Sequence, residues 1–172
     1  MQFAGKNGAE IGLLGAAGYR MVMEPIIRPA RIDEAGALTA LCLRSKRSNG
    51  YDDAFMAACV AELTVTPERL AQGGFWVAER QGPCGCAALR AGEVETFFVD
   101  PDSKGQGIGR ALWGAVLAHA HETGMTVLHL DADPAAEGFY RRLGFETVGR
   151  APSGSIPGRT LPRMERRLGE RV

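Results

Sequence analysis

Three glycines at alternating positions, Gly105, Gly107 and Gly109, form the segment of this chain whose residue types and spacing best suit chemistry. They follow an apolar run that stops at Asp100, and a long amphipathic pattern begins directly after them. This order predicts a strand, a glycine-rich loop and the first turn of a helix. Because glycine has no Cβ, backbone N–H groups can converge there, and a helix start adds unpaired donors and partial positive charge. The loop is therefore predicted to bind a phosphate or pyrophosphate group.

Two common phosphate loops fit this spacing poorly. A P-loop requires Lys and then Ser or Thr after its last glycine, whereas Arg110 and Ala111 follow Gly109. A dinucleotide-binding loop requires a further glycine where the chain has Arg110 or Leu112. Asp131 does lie at about the spacing of a ribose-binding acid, but only about 40 residues follow it, too few for the remaining parallel strands of that fold. The type of phosphate compound therefore has to be inferred from other motifs.

The elements that must position this loop can be predicted from hydrophobic periodicity and turn residues. Three consecutive strands separated by short turns indicate an antiparallel meander directly before the loop. A long helix follows the loop, and a further strand, helix and strand pair complete the chain. The whole pattern predicts a single mixed α/β domain. The predicted strands are 26–29, 75–80, 85–90, 93–99, 127–131, 145–150 and 160–168, and the main predicted helices are 33–47, 51–63, 107–122 and 134–143.

Size and composition favour one globular domain. The chain has 172 residues, 20 Lys plus Arg and 20 Asp plus Glu, so net charge offers no argument for binding nucleic acid or a membrane. No apolar run approaches the roughly 20 residues that a transmembrane helix needs. The glycine-rich residues 1–23 are predicted to be a flexible N-terminal extension, and residues 24–172 are predicted to form the functional domain.

The cysteines give no sign of a metal site or a disulfide framework. Cys42 and Cys59 fall in helical patterns, and Cys84 and Cys86 have no second pair at zinc-ligand spacing. We expect buried free thiols, no metal and a cytoplasmic location.

Two motifs together resemble those of the GCN5-related N-acetyltransferases (GNAT). The stretch 104–109, Lys-Gly-Gln-Gly-Ile-Gly, resembles the family's Gln/Arg-x-x-Gly-x-Gly/Ala motif, and 139–145, Phe-Tyr-Arg-Arg-Leu-Gly-Phe, resembles the end of its second motif. The resemblance covers about residues 25–168 and implies a twisted, mostly antiparallel central sheet flanked by helices. It also implies acetyl-CoA as co-substrate and a homodimer as a typical assembly. Lys104 departs from the usual Gln or Arg, and Asp133 stands where asparagine is usual; capping of the helix before Pro134 is the simpler explanation of Asp133.

The resemblance also implies roles for individual residues. The strand before the loop would supply a backbone N–H to the thioester carbonyl, and Tyr140 would protonate the departing thiolate. The cofactor-binding residues implied in this way are Phe97, Phe98, Val99, Lys104, Gly105, Gln106, Gly107, Ile108, Gly109, Arg110, Asp133, Ala136 and Tyr140.

The acceptor side is less sharply defined by the sequence. Glu93 and Glu95 lie two residues apart on one strand, which predicts one face, and either one is a candidate base or amine-binding group. Candidate acceptor contacts on the first two helices and the last loop are Ser45, Lys46, Tyr51 and Arg159. The resemblance implies direct acetyl transfer from acetyl-CoA to a primary amine of a small molecule or peptide. The alternative is a non-catalytic acyl-CoA-binding module on the same fold.

Overall fold

The structure, a computed structural model, describes residues 24–169. The predicted extension at residues 1–23 lies outside this range. A seven-stranded sheet runs through the molecule in the order β1-β2-β3-β4-β5-β7-β6. The strands are β1 (Ile26–Pro29), β2 (Phe75–Glu79), β3 (Pro83–Arg90), β4 (Glu93–Val99), β5 (Val127–Asp131), β6 (Glu146–Pro152) and β7 (Thr160–Arg167), and the helices are α1 (Ala35–Arg47), α2 (Asp53–Leu63), α3 (Pro67–Ala71), α4 (Ile108–Glu122) and α5 (Glu137–Arg142).

The mixed α/β architecture and the antiparallel meander predicted from the sequence are confirmed. β2, β3 and β4 pair antiparallel in succession, as do β5, β7 and β6. The predicted helix 134–143 differs in detail, because it begins as a 3-10 turn, Pro134–Ala136, before α5. The second helix starts two residues later than predicted, because the Asp52 side chain accepts the Phe55 N–H and caps it.

The two faces of the sheet are covered by different helices. Along β3, Ala87 and Leu89 pack with α4, whereas Cys86 and Ala88 pack with α1 and α2. This alternation is the period of two expected of a strand buried on both faces. Two hydrophobic cores result, with the sheet between them. No helix within residues 24–169 is long and apolar enough to cross a membrane.

One junction of the sheet is irregular in a way that matters for function. β4 and β5 are neighbouring parallel strands of the sheet, and Glu93 of β4 pairs with His129 of β5. The remaining residues of these two strands do not pair with each other, so the strands diverge towards Val99 and Asp131. β4 also bulges: Leu89 pairs with Val94 and Ala88 pairs with Thr96, which leaves the residue between them as an extra one.

Candidate active site

A cavity of about 930 Å³ opens where β4 and β5 diverge. Its wall combines β4, the glycine-rich loop, α5 and the ends of α1 and α2, so residues distant in sequence meet there. The predicted site residues in this wall are Ser45, Lys46, Glu95, Phe97, Phe98, Val99, Lys104, Gly105, Gly107, Ile108, Gly109, Arg110, Asp133, Ala136 and Tyr140. Outside the wall lie Tyr51, Glu93, Gln106 and Arg159.

The glycine-rich loop brings backbone donors to the cavity. Gly105 and Gly107 have φ values of +75° and +81°, a left-handed conformation that strains residues with a Cβ. A Cβ at either position would meet nothing within 4 Å, so the loop surface is open to a ligand. Gly107 is also the N-cap of α4, whose first N–H groups have no acceptor within the helix. This geometry suits a phosphate or pyrophosphate.

Arg80, which the sequence analysis did not single out, donates two hydrogen bonds to Gln106 of the glycine-rich loop. Its Nη1 donates to the side-chain oxygen of Gln106, and its Nη2 donates to the main-chain oxygen at 3.2 Å. The Gln106 amide nitrogen donates to Asp102 O at 2.9 Å. Because a trans peptide is planar, a carbonyl held by Arg80 turns the next N–H, that of Gly107, away from Arg80. Gln106, predicted to contact the cofactor, therefore has its side chain engaged within the protein.

Three basic side chains of the wall have no acidic partner among the described residues. Lys104 and Arg110 belong to the loop and the first turn of α4, and Arg142 ends α5. Lys104 Nζ donates only to Ser48 Oγ, at 2.6 Å. Unpaired positive charge around an open backbone cradle favours a polyanionic ligand. Arg142 was not predicted, although it lies two residues after Tyr140 in the second motif.

Tyr140 is buried in the wall among aromatic rings. Its ring meets those of Phe97, Phe139 and Phe145 edge-on, at centroid distances of 6.1, 5.3 and 5.7 Å. Burial, with a smaller contribution from the negative charge of Asp133, raises the pKa of Tyr140 above its ordinary value. The hydroxyl is therefore protonated at neutral pH, as a proton donor must be.

The two candidate carboxylates of β4 differ in their surroundings. The bulge makes Glu95 the extra residue, which interrupts the period of two used to predict a shared face with Glu93. Glu93 is exposed and lies outside the wall. Glu95 is in the wall, but its oxygens accept from Arg69 Nε at 2.7 Å and Arg90 Nε at 2.6 Å. An incoming ammonium would have to compete with two guanidinium groups for this carboxylate.

Asp133 joins α1, the start of α2 and the β6–β7 loop in a buried polar cluster. Its carboxylate accepts from Lys46 Nζ at 2.5 Å, from the Tyr51 hydroxyl at 2.9 Å and from Ala135 N at 2.9 Å. Arg159 donates to the same hydroxyl at 2.7 Å and lies 3.7 Å from the carboxylate. The interpretation of Asp133 as a cap is thus confirmed.

Charge balance explains how this carboxylate stays ionised. Burial alone would raise the pKa of Asp133, but the Lys46 ammonium and the Ala135 N–H outweigh that effect and hold the pKa below its ordinary value. Tyr51 and Arg159, predicted as acceptor contacts, are brought together here, and Phe55 stacks on Tyr51 at 3.9 Å. With its lone pairs occupied, Asp133 links structural elements and has little capacity left for a cofactor.

The cysteines are free and buried, as predicted. Cys42 lies in the cavity wall but is only 1% exposed, and its sulfur is 3.7 Å from that of Cys86. The hydrogen bond with Cys42, together with burial, raises the pKa of the Cys86 thiol, which opposes thiolate formation. Within residues 24–169 no group of three or more His, Cys, Asp or Glu side chains is arranged to hold a metal.

Comparison with known proteins agrees with this geometry. Residues 71–147 match the model of the acetyltransferase (GNAT) domain. The chain is 33% identical over 128 residues to the peptidyl-lysine N-acetyltransferase YjaB of Salmonella typhimurium, covering 73% of this chain and 86% of that protein. It is also 33% identical over 138 residues to the mycothiol acetyltransferase of Cellulomonas flavigena, covering 71% of this chain and 37% of that protein.

A solved structure extends the likeness to the fold. The PaiA N-acetyltransferase of Thermoplasma acidophilum, determined in complex with coenzyme A, superposes with a TM-score of 0.68 at 17% identity, covering 85% of this chain and 100% of that one. Fold, cavity and relatives together define the class of protein, an acetyl-CoA-dependent N-acetyltransferase. The chain belongs to the GNAT superfamily.

Proposed function

We propose that this protein transfers the acetyl group of acetyl-CoA to the primary amine of a lysine side chain in a peptide. The observation that carries the proposal is the divergence of β4 from β5, which opens a cavity bounded by the glycine-rich loop and by Tyr140. The similarity to a peptidyl-lysine N-acetyltransferase over most of both chains supports a peptide acceptor.

The loop and its basic surroundings are the proposed site for the pyrophosphate and phosphate groups of acetyl-CoA. The N–H groups from Gly105 to Gly109 would donate to the pyrophosphate, and Lys104, Arg110 and Arg142 would balance its charge. The chain fits this group, because Gly105 and Gly107 leave open space where side chains would otherwise project. Lysine at position 104 acts as a point charge and lacks the planar fork of arginine.

The open edge of β4 is the proposed site for the acyl end of the cofactor. The segment Phe97–Val99 pairs with β3 on one side and has no strand partner on the side of β5. The amide groups of an extended pantetheine arm can hydrogen-bond to such unpaired backbone groups, in the way that an added strand pairs with a sheet edge. A backbone N–H at this edge would then stabilise the oxyanion that forms on the acetyl carbonyl.

Direct attack by the acceptor is the proposed chemical step. The neutral amine forms a bond to the acetyl carbon, the carbon–sulfur bond breaks, and Tyr140 gives its hydroxyl proton to the departing thiolate. The amine loses one proton to solvent, and Tyr140 is reprotonated from solvent. No acyl-cysteine is required, since the thiol nearest the cavity, that of Cys42, is buried against Cys86.

The experiment combines ligand binding with acceptor identification. Acetyl-CoA should raise the melting temperature by mass action, whereas NADH should leave it unchanged. Thiol release is then measured with lysine-containing peptides, polyamines, amino acids and aminoglycosides, and acetylated peptides are mapped by mass spectrometry. Turnover on a small-molecule amine with none on any peptide would refute the peptide acceptor. Absence of both the thermal shift and thiol release would refute the proposal as a whole.

We also propose that the acetyltransferase domain comprises residues 24–172, with residues 1–23 as an extension. The homodimer implied by the resemblance stays a prediction.

A further inference from the structure

The carboxylates of the cavity wall fall into two groups by their partners. Asp131 is held by Arg163 through two hydrogen bonds of 2.9 and 3.0 Å, and Glu95 and Asp133 are paired with basic side chains as described above. Glu62 differs from these, because no Lys or Arg among residues 24–169 forms an ion pair with it. Glu62 is therefore the carboxylate of the described cavity wall that can pair with a cation of a bound ligand.

The position of Glu62 is defined by its neighbours. It lies in the last turn of α2, and the Ser155 hydroxyl of the β6–β7 loop donates to its Oε2. That loop is anchored in turn, because Ile156 packs against the core beneath α1 and α2, and Arg159 donates to Tyr51. The carboxylate therefore stands between α2 and the loop, at an exposed edge of the cavity.

Its place on the helix is electrostatically unfavourable for the isolated protein. The C-terminal end of a helix carries partial negative charge, so an acidic side chain there is disfavoured. The last turn of α2 contains no basic residue to offset it. The helix end and Glu62 together create a local negative potential that a bound cation would relieve.

The unpaired positive and negative charges of the wall thus lie on elements at opposite faces of the sheet. The cations Lys104, Arg110 and Arg142 lie on the loop, α4 and α5, which pack on one face of the sheet. Glu62 lies on α2, which packs on the opposite face. A polyanionic cofactor and a cationic acceptor would accordingly be attracted to different elements of the same cavity.

We propose that Glu62 binds a second positive charge of the acceptor, one that is not acetylated. The proposal rests on the proposed function, since it concerns the acceptor of that reaction. The attacking amine must be neutral, whereas a carboxylate in contact with it stabilises the ammonium form. Glu62 is exposed at the edge of the cavity while Tyr140 is 8% exposed within it, so Glu62 suits the non-reacting cation. That cation is a basic residue flanking the target lysine.

The test compares matched acceptors with wild-type protein and Glu62→Gln. Two peptides differ only in having arginine or glutamine beside the target lysine. Spermidine is compared with butylamine as well, and a Glu62-dependent preference for spermidine without one for the arginine peptide would contradict the proposal. We expect wild-type protein to prefer the arginine peptide by about five-fold in kcat/KM, as for an exposed ion pair, and the preference to shrink with added salt. Glu62→Gln should abolish the preference through KM, with kcat and the KM for acetyl-CoA unchanged.

The control and a second measurement keep this test independent of turnover. Glu122→Gln changes an exposed glutamate at the end of α4, outside the cavity wall, and should retain the preference. Fluorescence anisotropy measures the affinity for the labelled arginine peptide. With the target lysine already acetylated, the arginine is the positive charge whose contribution to binding is tested. Equal binding of this peptide by wild-type protein and Glu62→Gln would contradict the proposal, even if no acceptor were turned over. Absence of thiol release by wild-type protein with every acceptor would instead count against the proposed function.

Discussion

Replacing Asp133 by Asn removes one negative charge from the buried cluster and little else. Asparagine caps a helix about as well as aspartate, so the bond from Ala135 N is kept. What is lost is the partner of Lys46, whose side chain is 10% exposed against 12% for Asp133. Arg159, 3.7 Å away, then becomes a second cation without an anion in the same cluster.

The expected loss of stability can be estimated from this burial. Removing one partner of a fully buried ion pair costs about 3–5 kcal/mol, and the slight exposure here lowers the expectation for Asp133→Asn to about 2–3 kcal/mol. For a chain of this size that corresponds to a fall of about 4–12 °C in melting temperature. Lys46→Met should cost less, about 1 kcal/mol, because Asp133 keeps Tyr51 and Ala135 as donors and Arg159 as a nearby cation.

The pH dependence provides a second, independent signature. The pKa of Asp133 is lowered in the folded protein, so its ion pair contributes fully above the ordinary carboxyl pKa and is lost as pH falls through the folded value. The difference in unfolding free energy between wild-type protein and Asp133→Asn should therefore be constant from pH 7 to about pH 5 and shrink below about pH 4. Urea unfolding of both proteins at a series of pH values measures this difference in unfolding free energy.

A matched exposed ion pair serves as the control. Asp53 lies 2.5 Å from Arg47, but their side chains are 90% and 57% exposed, so Asp53→Asn should cost less than about 1 kcal/mol. If Asp133→Asn cost no more than Asp53→Asn, or if its cost did not change with pH, the cluster would not stabilise the fold in the way argued.

Two further predictions concern the cofactor end of the cavity, and a third concerns the packing of α4 on the sheet. Tyr140→Phe keeps the ring packed against Phe97 and should lower kcat about 100-fold, with little change in the KM for acetyl-CoA; an unchanged kcat would exclude Tyr140 as proton donor. Arg80→Met releases the carbonyl of Gln106 and should raise the KM for acetyl-CoA several-fold while kcat is maintained, and a fall in kcat alone would speak against its role in shaping the loop. Gly85→Ala would bring a Cβ to 2.7 Å from Ile108 Cγ2, so unfolding should show a loss of about 1–3 kcal/mol, and wild-type stability would mean that α4 can shift at no cost.

Much of the fold followed from local patterns. The meander β2–β3–β4, the long helix α4 and the order of all main elements were predicted from periodicity and turn residues, because those signals lie within a few residues of one another. The glycine-rich loop was found in the same way. Even the cap of Asp133 on the turn before α5 is a local contact, which is why it could be predicted.

The composition of the site was harder to predict, because it depends on contacts between distant parts of the chain. The Lys46–Asp133 bond spans 87 positions and the Arg159–Tyr51 bond spans 108. Sequence spacing does not indicate which cation pairs with which anion, so the sequence alone does not show that Asp133 and Glu95 are both held by basic side chains.

Residue types and spacing by themselves determined that this chain forms a mixed α/β domain with a phosphate-binding loop and, by resemblance, an acetyltransferase motif pair. The tertiary structure alone decided which of the charged residues remain available. Folding engaged Gln106 with Arg80 and neutralised Glu95 and Asp133. Among residues 24–169 it left Lys104, Arg110, Arg142 and Glu62 of the cavity wall without an ion-pair partner. The physical reason is that a charge is satisfied by whichever opposite charge the fold brings within a few ångströms, and the register of strands and the packing of helices set that distance.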